Sequence, residues 1–537
     1  MTKGSGDAGD AHDLVTRIEA VGVPRARQML DRATWAARSF STYDRGSVLR
    51  IAEAVAHLAE EKASFYAEWA VRETGFGVVE HKTVKNRLCS RGILDAYRDD
   101  DYVTPRVDVA RKMVAVPRPA GVVLALTPST NPVSTIYVKV LLALMTRNAV
   151  VVSPHPLAKA CSADAARMMA DAAVAAGAPD GVVQVVDAPS IPLIDALMTD
   201  ERTDVILATG GVPVVRSAYS SGNPAIGVGP GNVPVLVDRT ADLRRAAEKI
   251  VDSKAFDNSV LCTNESVLIV EDAVADRLVR EMARHGAHLL TDEDTERVRG
   301  LAFPGGHFDA SLVGRPATEI AERAGVRVAA RTRILLAPFP LVLDEEPLAH
   351  EKLLPVLGLV RVADARRGIR AAQAVLRIGG AGHSAVVHSN DSATVMAFAA
   401  AVPVLRVTVN EGGSIGSAGF STHLAPSMTI GTGFVGRSSL GENLQPSHLV
   451  DWTRVAYSSD VSAQFPSYDG VVPWVAPSGG VPPYPRASND DHSTSAGALT
   501  TTSPDELREP SRSGIPPELR EELRRLIIDE LTSLVRG

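Results

Sequence analysis

The chain of 537 residues is long enough for several domains and a large core. Hydrophobic residues make up 45% and charged residues 22%, as in a globular protein, and the net charge of −7 excludes an overall basic nucleic-acid footprint. Its three cysteines, Cys89, Cys161 and Cys262, are scattered without a CxxC pair or a nearby His pair, which excludes a disulfide framework and argues against structural zinc.

Residues 1–12 read as a floppy polar start with no apolar core of a signal peptide, and no apolar run approaches the roughly 20 residues that span a bilayer. From Asp13 to about Ala70 apolar residues recur at spacings of three and four, predicting helices, and ETGFGVVEHKTVKNRL continues as helix after a glycine-rich break. Val107 to Val116 predict short strands. Val122–Leu126 then predicts a buried strand that runs into Thr127-Pro128-Ser129-Thr130-Asn131-Pro132, with a helix from about Val133 to Met145. A second strand, Ala149–Val152, ends in Ser153-Pro154-His155-Pro156. Helix, strand and helix follow over 162–197, and Val205–Ala208 ends in Thr209-Gly210-Gly211 before another helix. Strand–loop–helix repeated in this way is the pattern of a doubly wound parallel sheet, an α/β fold whose loops at the carboxyl ends of the strands take nucleotides. Thr127, Ser153, His155, Thr209, Gly210 and Gly211 all stand on such loops. In Gly227-Val228-Gly229-Pro230-Gly231-Asn232 the glycines allow close backbone approach, with Gly229 a candidate for cofactor contact, although such a run also forms plain tight turns.

Cys262 closes the polar, turn-like segment Lys254–Cys262 and precedes the apolar run Ser266–Val270, a buried strand. A thiolate there is held rigidly yet open to a ligand, and it is the best side-chain nucleophile near neutral pH. The plain alternative is a small buried hydrophobe, which is also the reading for Cys89 and Cys161 in their helical patterns. Asn131, between a strand and a helix, carries an amide able to donate to an oxyanion; its alternative is a helix N-cap or Asx-turn. His155 and His423 stand in loops, His383 follows a glycine run as a turn residue, and Arg366-Arg367 reads as a solvated helix face. The alternation of strands and helices resumes after Cys262 to about Val409, as a second α/β domain.

From about Ala456 to Ser513 the composition turns to Pro, Ser, Gly, Thr and Asp, a flexible linker. After Pro516-Pro517 the residues Leu519, Leu523, Leu526, Ile527, Leu531, Leu534 and Val535 form a helical stripe between charged residues. Such a helix needs a partner surface, its own domain or a second copy to cover it.

Several segments in one order, ETGFGVVEHKTVKN (73–86), TPSTNP (127–132), LATGG (207–211), AYSSGNPAIGVGPGNVPVLVD (218–238), KAFDNSVLCTNESVLIV (254–270), AHEKLLPVLGLVRV (349–362) and SMTIGTGFVGRSSLGENLQPSHLVDW (427–452), resemble the aldehyde dehydrogenase superfamily. The match is closest to its CoA-acylating branch, the acetaldehyde and propionaldehyde dehydrogenases, and covers about residues 15–455. The resemblance implies a Rossmann-like cofactor domain at 13–103 and 121–237, a catalytic domain at 238–445 and a small oligomerisation sheet from 104–120 and 446–460. The linker then spans 461–513 and the amphipathic helix 514–537. It further implies Cys262 as nucleophile, Asn131 as oxyanion donor with the Cys262 backbone N–H, Thr209, Gly210 and Gly211 near the phosphates of NAD or NADP, and Glu351 on the nicotinamide ribose. Ser153 falls where hydrolytic relatives carry a lysine near the adenosine ribose. No metal is implied.

One departure bears on the reaction. Val228 occupies the position where hydrolytic relatives carry a glutamate base, which points to acyl transfer to coenzyme A rather than to water. The tail resembles the encapsulation peptides of bacterial microcompartment enzymes, so shell proteins are the partner it implies and the compartment lumen within the cytoplasm the location, with a homodimer or homotetramer and neither nucleic acid nor membrane as partner. A hydrolytic dehydrogenase and a non-catalytic scaffold remain the alternatives.

Overall fold

The computed structural model describes residues 7–475 and 483–485, so most of the expected linker and the whole 514–537 helix lie outside the described residues. Residues 7–12 of the expected floppy start belong to helix Asp7–Phe40, while residues 1–6 lie outside the described residues: no proline precedes Pro24, and Ala8 and Ala11 favour helix although nothing apolar marks the stretch. Arg45–Glu61 and Ala63–Thr74 follow. The first of these is capped by the Asp44 carboxylate on the Ser47 N–H at 2.8 Å, and the second is ended by Gly75 in the left-handed conformation. The residues recurring at three and four, Val48, Ile51, Ala52, Val55, Ala56 and Ala59, are those that become buried.

Five parallel strands form the first sheet, in the spatial order Val183–Val185, Ala149–Ser153, Val122–Leu126, Val205–Thr209, Ala225–Val228. The chain builds outward from Val122–Leu126 to one side, then crosses back to build the other. The order therefore reverses between Val122–Leu126 and Val205–Thr209, and there the loops from the two carboxyl ends part and leave a crevice.

The second sheet has seven parallel strands in the order Ala287–Leu289, Ile334–Pro338, Val356–Val362, Glu265–Glu271, Val233–Val237, Ala385–His388, Val407–Val409. Val267 and Ile269 feed the core on one face, Leu268 and Val270 the core on the other. Burial on both faces explains why these strands read as continuous apolar runs rather than as alternation. The chain passes from the first sheet to the second between Val228 and Val233, a few residues before the boundary expected at 237.

A three-stranded antiparallel sheet joins Arg106–Asp108, Met113–Pro119 and Val450–Ala456, with Val116 opposite Thr453. Beyond it the stretch expected to be free linker from 461 is tethered at Trp474, whose indole N–H donates to the Val103 carbonyl at 2.6 Å while the Arg147 guanidinium lies 4.4 Å over its ring. Among the described residues no helix is long and apolar enough to cross a membrane, and no group of His, Cys, Asp and Glu is arranged to hold a metal ion.

Candidate active site

The crevice at the switch point of the first sheet opens into a pocket of about 240 Å³. Its two nearest strands are pinned together from below. Helix Pro132–Met145 is buried along its whole length, and Lys139 on it donates to the Leu126 carbonyl at 2.7 Å and the Leu207 carbonyl at 2.8 Å, one from each strand. Burial pushes the Lys139 ammonium well below its ordinary pKa.

Cys262 lines this pocket from the opposite side, on the loop that enters the amino end of strand Glu265–Glu271. It is partly exposed, whereas Cys89 and Cys161 are buried. Burial pushes the Cys161 thiol up to about 12 and Cys89 further, as befits inert packing groups. The Cys262 thiol is also pushed up to about 12, first by burial and then by Glu351; its own backbone N–H and the Arg406 guanidinium oppose the rise. The thiol therefore rests protonated in this state.

The loop carrying Cys262 is strained. Asp257, Asn258 and Ser259 all have left-handed φ, at 52°, 50° and 66°. Each such residue without a glycine costs about 1–3 kcal/mol and persists only where the surroundings over-determine it. Asn258 Nδ2 donates to the Gly314 carbonyl at 2.9 Å, the Asp257 N–H to His81 Nδ1 at 2.9 Å, and the Leu261 N–H to Asn264 Oδ1 at 2.8 Å. The chain after the loop is held as firmly. The Glu265 carboxylate accepts the Gly413 N–H at 2.6 Å, and the Thr263 hydroxyl donates to the Ser414 carbonyl at 2.7 Å.

Asn131 lines the same pocket as Cys262. It occupies the N-cap position of helix Pro132–Met145, but its side chain makes no capping bond, so the cap reading fails. Its Oδ1 accepts from Lys85 Nζ and its Nδ2 donates to Thr130 Oγ1 at 3.3 Å. An ammonium only donates, so the atom against Lys85 must be the amide oxygen, which leaves the NH₂ end for the pocket.

Thr209, Gly210, Gly211, Gly229, His155 and Glu351 line the same pocket. Gly211 caps helix Val212–Ser220; Pro213 has no N–H and the Val214 N–H donates to the Gly211 carbonyl at 3.1 Å, so in that first turn only the Val212 N–H is left without a partner. His155 Nδ1 accepts the Leu157 N–H at 3.2 Å and burial lowers its pKa. Glu351 accepts the Gly231 N–H at 3.0 Å; burial raises its carboxyl to about 8, against the pull of that N–H, Lys254 and Lys352. Val228 also lines the pocket, and Glu351 is the single carboxylate among the described lining residues. Thr127 and Ser153 stay out of it. Both are buried, and the Thr127 N–H is spent on the Ser153 carbonyl at 3.1 Å, because they continue the pairing of their two strands.

The glycines of GVGPGN serve the protein more than a ligand. A Cβ on Gly227 would strike Val215 and Tyr219, and one on Gly231 would come within 2.0 Å of the Cys262 carbonyl. Gly229 alone has open space where a side chain would stand.

Three residues in the surroundings of Cys262 escaped the sequence. Arg406 is buried and donates to the carbonyls of Gly382 at 2.7 Å, His383 at 2.9 Å and Gly431 and to Asn443 Oδ1 at 3.4 Å, all neutral acceptors, so its charge, shared with Glu442, favours a thiolate at Cys262. His383, expected only to close a turn, is fully buried; Nδ1 meets Ser384 Oγ at 2.9 Å while Nε2 has no partner, and burial and Arg406 pull it down to about 3. Lys254 is pulled to about 7 by burial. Buried polar groups of this kind have no sequence pattern. His423, Arg366 and Arg367 are exposed.

The model of the aldehyde dehydrogenase family matches residues 10–299. The chain belongs to the aldehyde dehydrogenase family. The bifunctional aldehyde-alcohol dehydrogenase of Escherichia coli (strain K12) is 38% identical over 445 residues, 82% of this chain and 50% of that protein, so the chain spans about half the length of this curated relative. The fold is the aldehyde dehydrogenase fold of the acylating enzymes. The acetylating aldehyde dehydrogenase of Geobacillus thermoglucosidasius superposes with a TM-score of 0.81 at 36% identity, over 83% of this chain and 99% of that one. A propionaldehyde dehydrogenase from a fucose utilisation microcompartment of Clostridium phytofermentans gives 0.74 at 28%, over 82% and 98%. That of Rhodopseudomonas palustris, solved with bound CoA and an acylated cysteine, gives 0.73 at 27%, over 80% and 97%.

Proposed function

We propose that the chain is a CoA-acylating aldehyde dehydrogenase that oxidises a short-chain aldehyde to an acyl-CoA with reduction of NAD(P). One observation carries this reading: Cys262 and Asn131 share a pocket in which the apolar Val228 stands where a hydrolytic enzyme needs a base. The acylated cysteine and bound CoA of the Rhodopseudomonas palustris relative support it.

The residues fit a dinucleotide. The amino end of helix Val212–Ser220 with its unpartnered Val212 N–H, beside Thr209 and Gly210, suits its phosphates, and the absence of a side chain at Gly210 and Gly211 lets them approach. When bound, the nicotinamide accepts hydride from the carbon attached to sulfur.

Cys262 Sγ, once deprotonated, bonds to the aldehyde carbon, and the carbonyl π pair moves to oxygen. Asn131 Nδ2–H and the Cys262 backbone N–H stabilise that oxyanion. Loss of hydride leaves a thioester on Cys262. The thiolate of coenzyme A then bonds to the acyl carbon, and the Cys262 thiolate leaves and is ready for a second aldehyde. Arg406 offsets the charge on Sγ in the first and last states. Glu351, mostly protonated below about pH 8, neither repels that thiolate nor serves as an efficient base for water at pH 7.

The hydrolytic alternative has one feature in its favour, the carboxylate of Glu351 in the pocket. An assay of NADH formation from propanal with and without CoA separates the two. Strict dependence on CoA supports acylation; equal turnover without CoA supports hydrolysis, and no turnover with any aldehyde supports a scaffold.

The exposed outer side chains of Val450–Ala456 and Arg106–Asp108 support the small antiparallel sheet as the contact that builds a homodimer or homotetramer. The amphipathic stripe at 514–537, together with the microcompartment source of one relative, supports shell proteins as partners and the compartment lumen as location. Removing 514–537 then leaves turnover intact and releases the enzyme from purified shells; retention in the shells contradicts the targeting role.

A further inference from the structure

The segment ETGFGVVEHKTVKN at 73–86 is among the longest motifs of the chain, yet none of its residues lines the pocket. Its residues gather instead around one carboxylate. Asp257, fully buried, accepts the Val78 N–H at 2.7 Å, Lys82 Nζ at 3.0 Å, and Lys85 Nζ. Gly77 has φ +82°, and a Cβ there would come within 2.1 Å of Asp257 Oδ1, so only glycine lets the loop close over the carboxylate. Lys82 and Lys85 lie three apart on helix Val79–Arg87 and so share one face. Two buried ammonium groups converge on a single carboxylate, an expensive arrangement if it only filled space.

The two lysines differ in their third contact. Lys82 donates to the Thr130 carbonyl at 3.0 Å, a backbone atom. Lys85 donates to Asn131 Oδ1, the far end of the amide whose NH₂ donates to Thr130 Oγ1, a residue of the pocket lining. Without that ammonium the amide could turn over, since an unanchored asparagine presents oxygen or nitrogen with similar ease. A carbonyl oxygen turned toward Cys262 would repel an oxyanion rather than hold it. The charge of Lys85 also draws electron density out of the amide and strengthens its N–H as a donor. Asp257 belongs to the strained turn that leads into Cys262, so one buried cluster holds both the donor and the loop of the nucleophile.

We infer that Lys85, held by Asp257, is a positioning residue that fixes the Asn131 amide with its N–H rather than its carbonyl toward the thiol. This rests on the reading of Asn131 as the oxyanion donor.

A double-mutant cycle with propanal, NAD and CoA tests it. Lys85→Met lowers kcat at least tenfold with little change in the KM for propanal, and adding it to Asn131→Ala slows the enzyme no further. Lys82→Met disturbs the same ion cluster and lowers Tm by a similar amount, but its loss of kcat is several-fold smaller. Independent, multiplying losses for Lys85→Met and Asn131→Ala, or equal losses of kcat for Lys82→Met and Lys85→Met, overturn the inference. Should Lys85→Met not fold, Lys85→Gln, which keeps a donor of shorter reach, takes its place in the cycle. A crystal structure of the same variant gives a readout free of the assay: the Asn131 amide turns over, as read from the partners of its two ends, or leaves its present rotamer, and an amide unchanged in both counts against positioning. If the unmodified enzyme makes no acyl-CoA, the proposed reaction fails while the crystal structure still decides about Lys85.

Discussion

The two walls of the pocket are built on opposite plans. On the side of the first sheet, Thr209, Gly210, Gly211 and the opening of helix Val212–Ser220 offer backbone groups, with Val212 and Val214 exposed beside them. On the side of Cys262, three successive left-handed residues stand in a row, and the first two, Asp257 and Asn258, are locked by bonds to His81, Gly314 and the lysines Lys82 and Lys85. The open wall can be occupied and vacated, as a dissociating dinucleotide requires. The locked wall keeps Sγ and the amide donor in one geometry, as a transition state requires. Asn131 follows a strand of the first sheet but is tied by Lys85 into the locked cluster, so binding falls to open backbone groups and chemistry to locked side chains, and substitutions in the two sets should leave different kinetic signatures.

The largest effect belongs to the chemical wall. Asn131→Ala removes a transition-state donor, so steady-state kinetics should show kcat lower by about 10²–10³ with the KM values for aldehyde and NAD little changed. Gly211→Val is the counterpart on the open wall. A Cβ there would meet only Pro213, at an ordinary 3.7 Å, so the fold tolerates it while the phosphates lose their approach. It should raise the KM for NAD by roughly tenfold and leave kcat within about threefold. A fall in kcat as deep as that of Asn131→Ala would erase the division.

Glu351 stands where the walls meet, and its effect is smaller. Its charge raises the Cys262 thiol, but burial keeps its own carboxyl protonated up to about pH 8. Glu351→Gln should therefore leave iodoacetamide alkylation of Cys262 unchanged below about pH 8 and speed it severalfold above. Equal rates at every pH would mean that the carboxylate does not face the thiol.

The smallest effect tests burial away from the pocket. Burial holds His383 near 3 and His388 near 4, both well below the ordinary 6.5. The unfolded chain takes up protons between pH 6.5 and 4 that the folded chain refuses. Stability is then full above 6.5 and falls with acid by up to about 1.4 kcal/mol per pH unit for each histidine. Tm measured from pH 7 to 5 should decline, and His388→Asn should make the decline shallower.

What the sequence showed and hid follows from the range of the interactions. Period and loop chemistry within a few residues marked most strands of the first sheet, the loops at their carboxyl ends, and Cys262 before its strand. Val233–Val237, the strand at the switch point of the second sheet, went unmarked because Pro234 and the preceding glycines read as loop; the proline is accommodated at a register shift beside Val233. Thr127 and Ser153 misled because both lie at the carboxyl ends of strands, where only the spatial pairing shows that their backbones satisfy each other. The ion cluster was illegible for the same reason: Lys85 and Asp257 are 172 residues apart, and no local pattern announces that they meet.

The central claim is that Cys262 carries the acyl group and gives it to coenzyme A in preference to water. Peptide mass spectrometry of enzyme incubated with propanal and NAD tests it most directly. The account predicts one propionyl group on the peptide containing Cys262, persistent in buffer and discharged within one turnover on adding CoA. An unmodified Cys262, or an adduct that water removes as fast as CoA does, would contradict it.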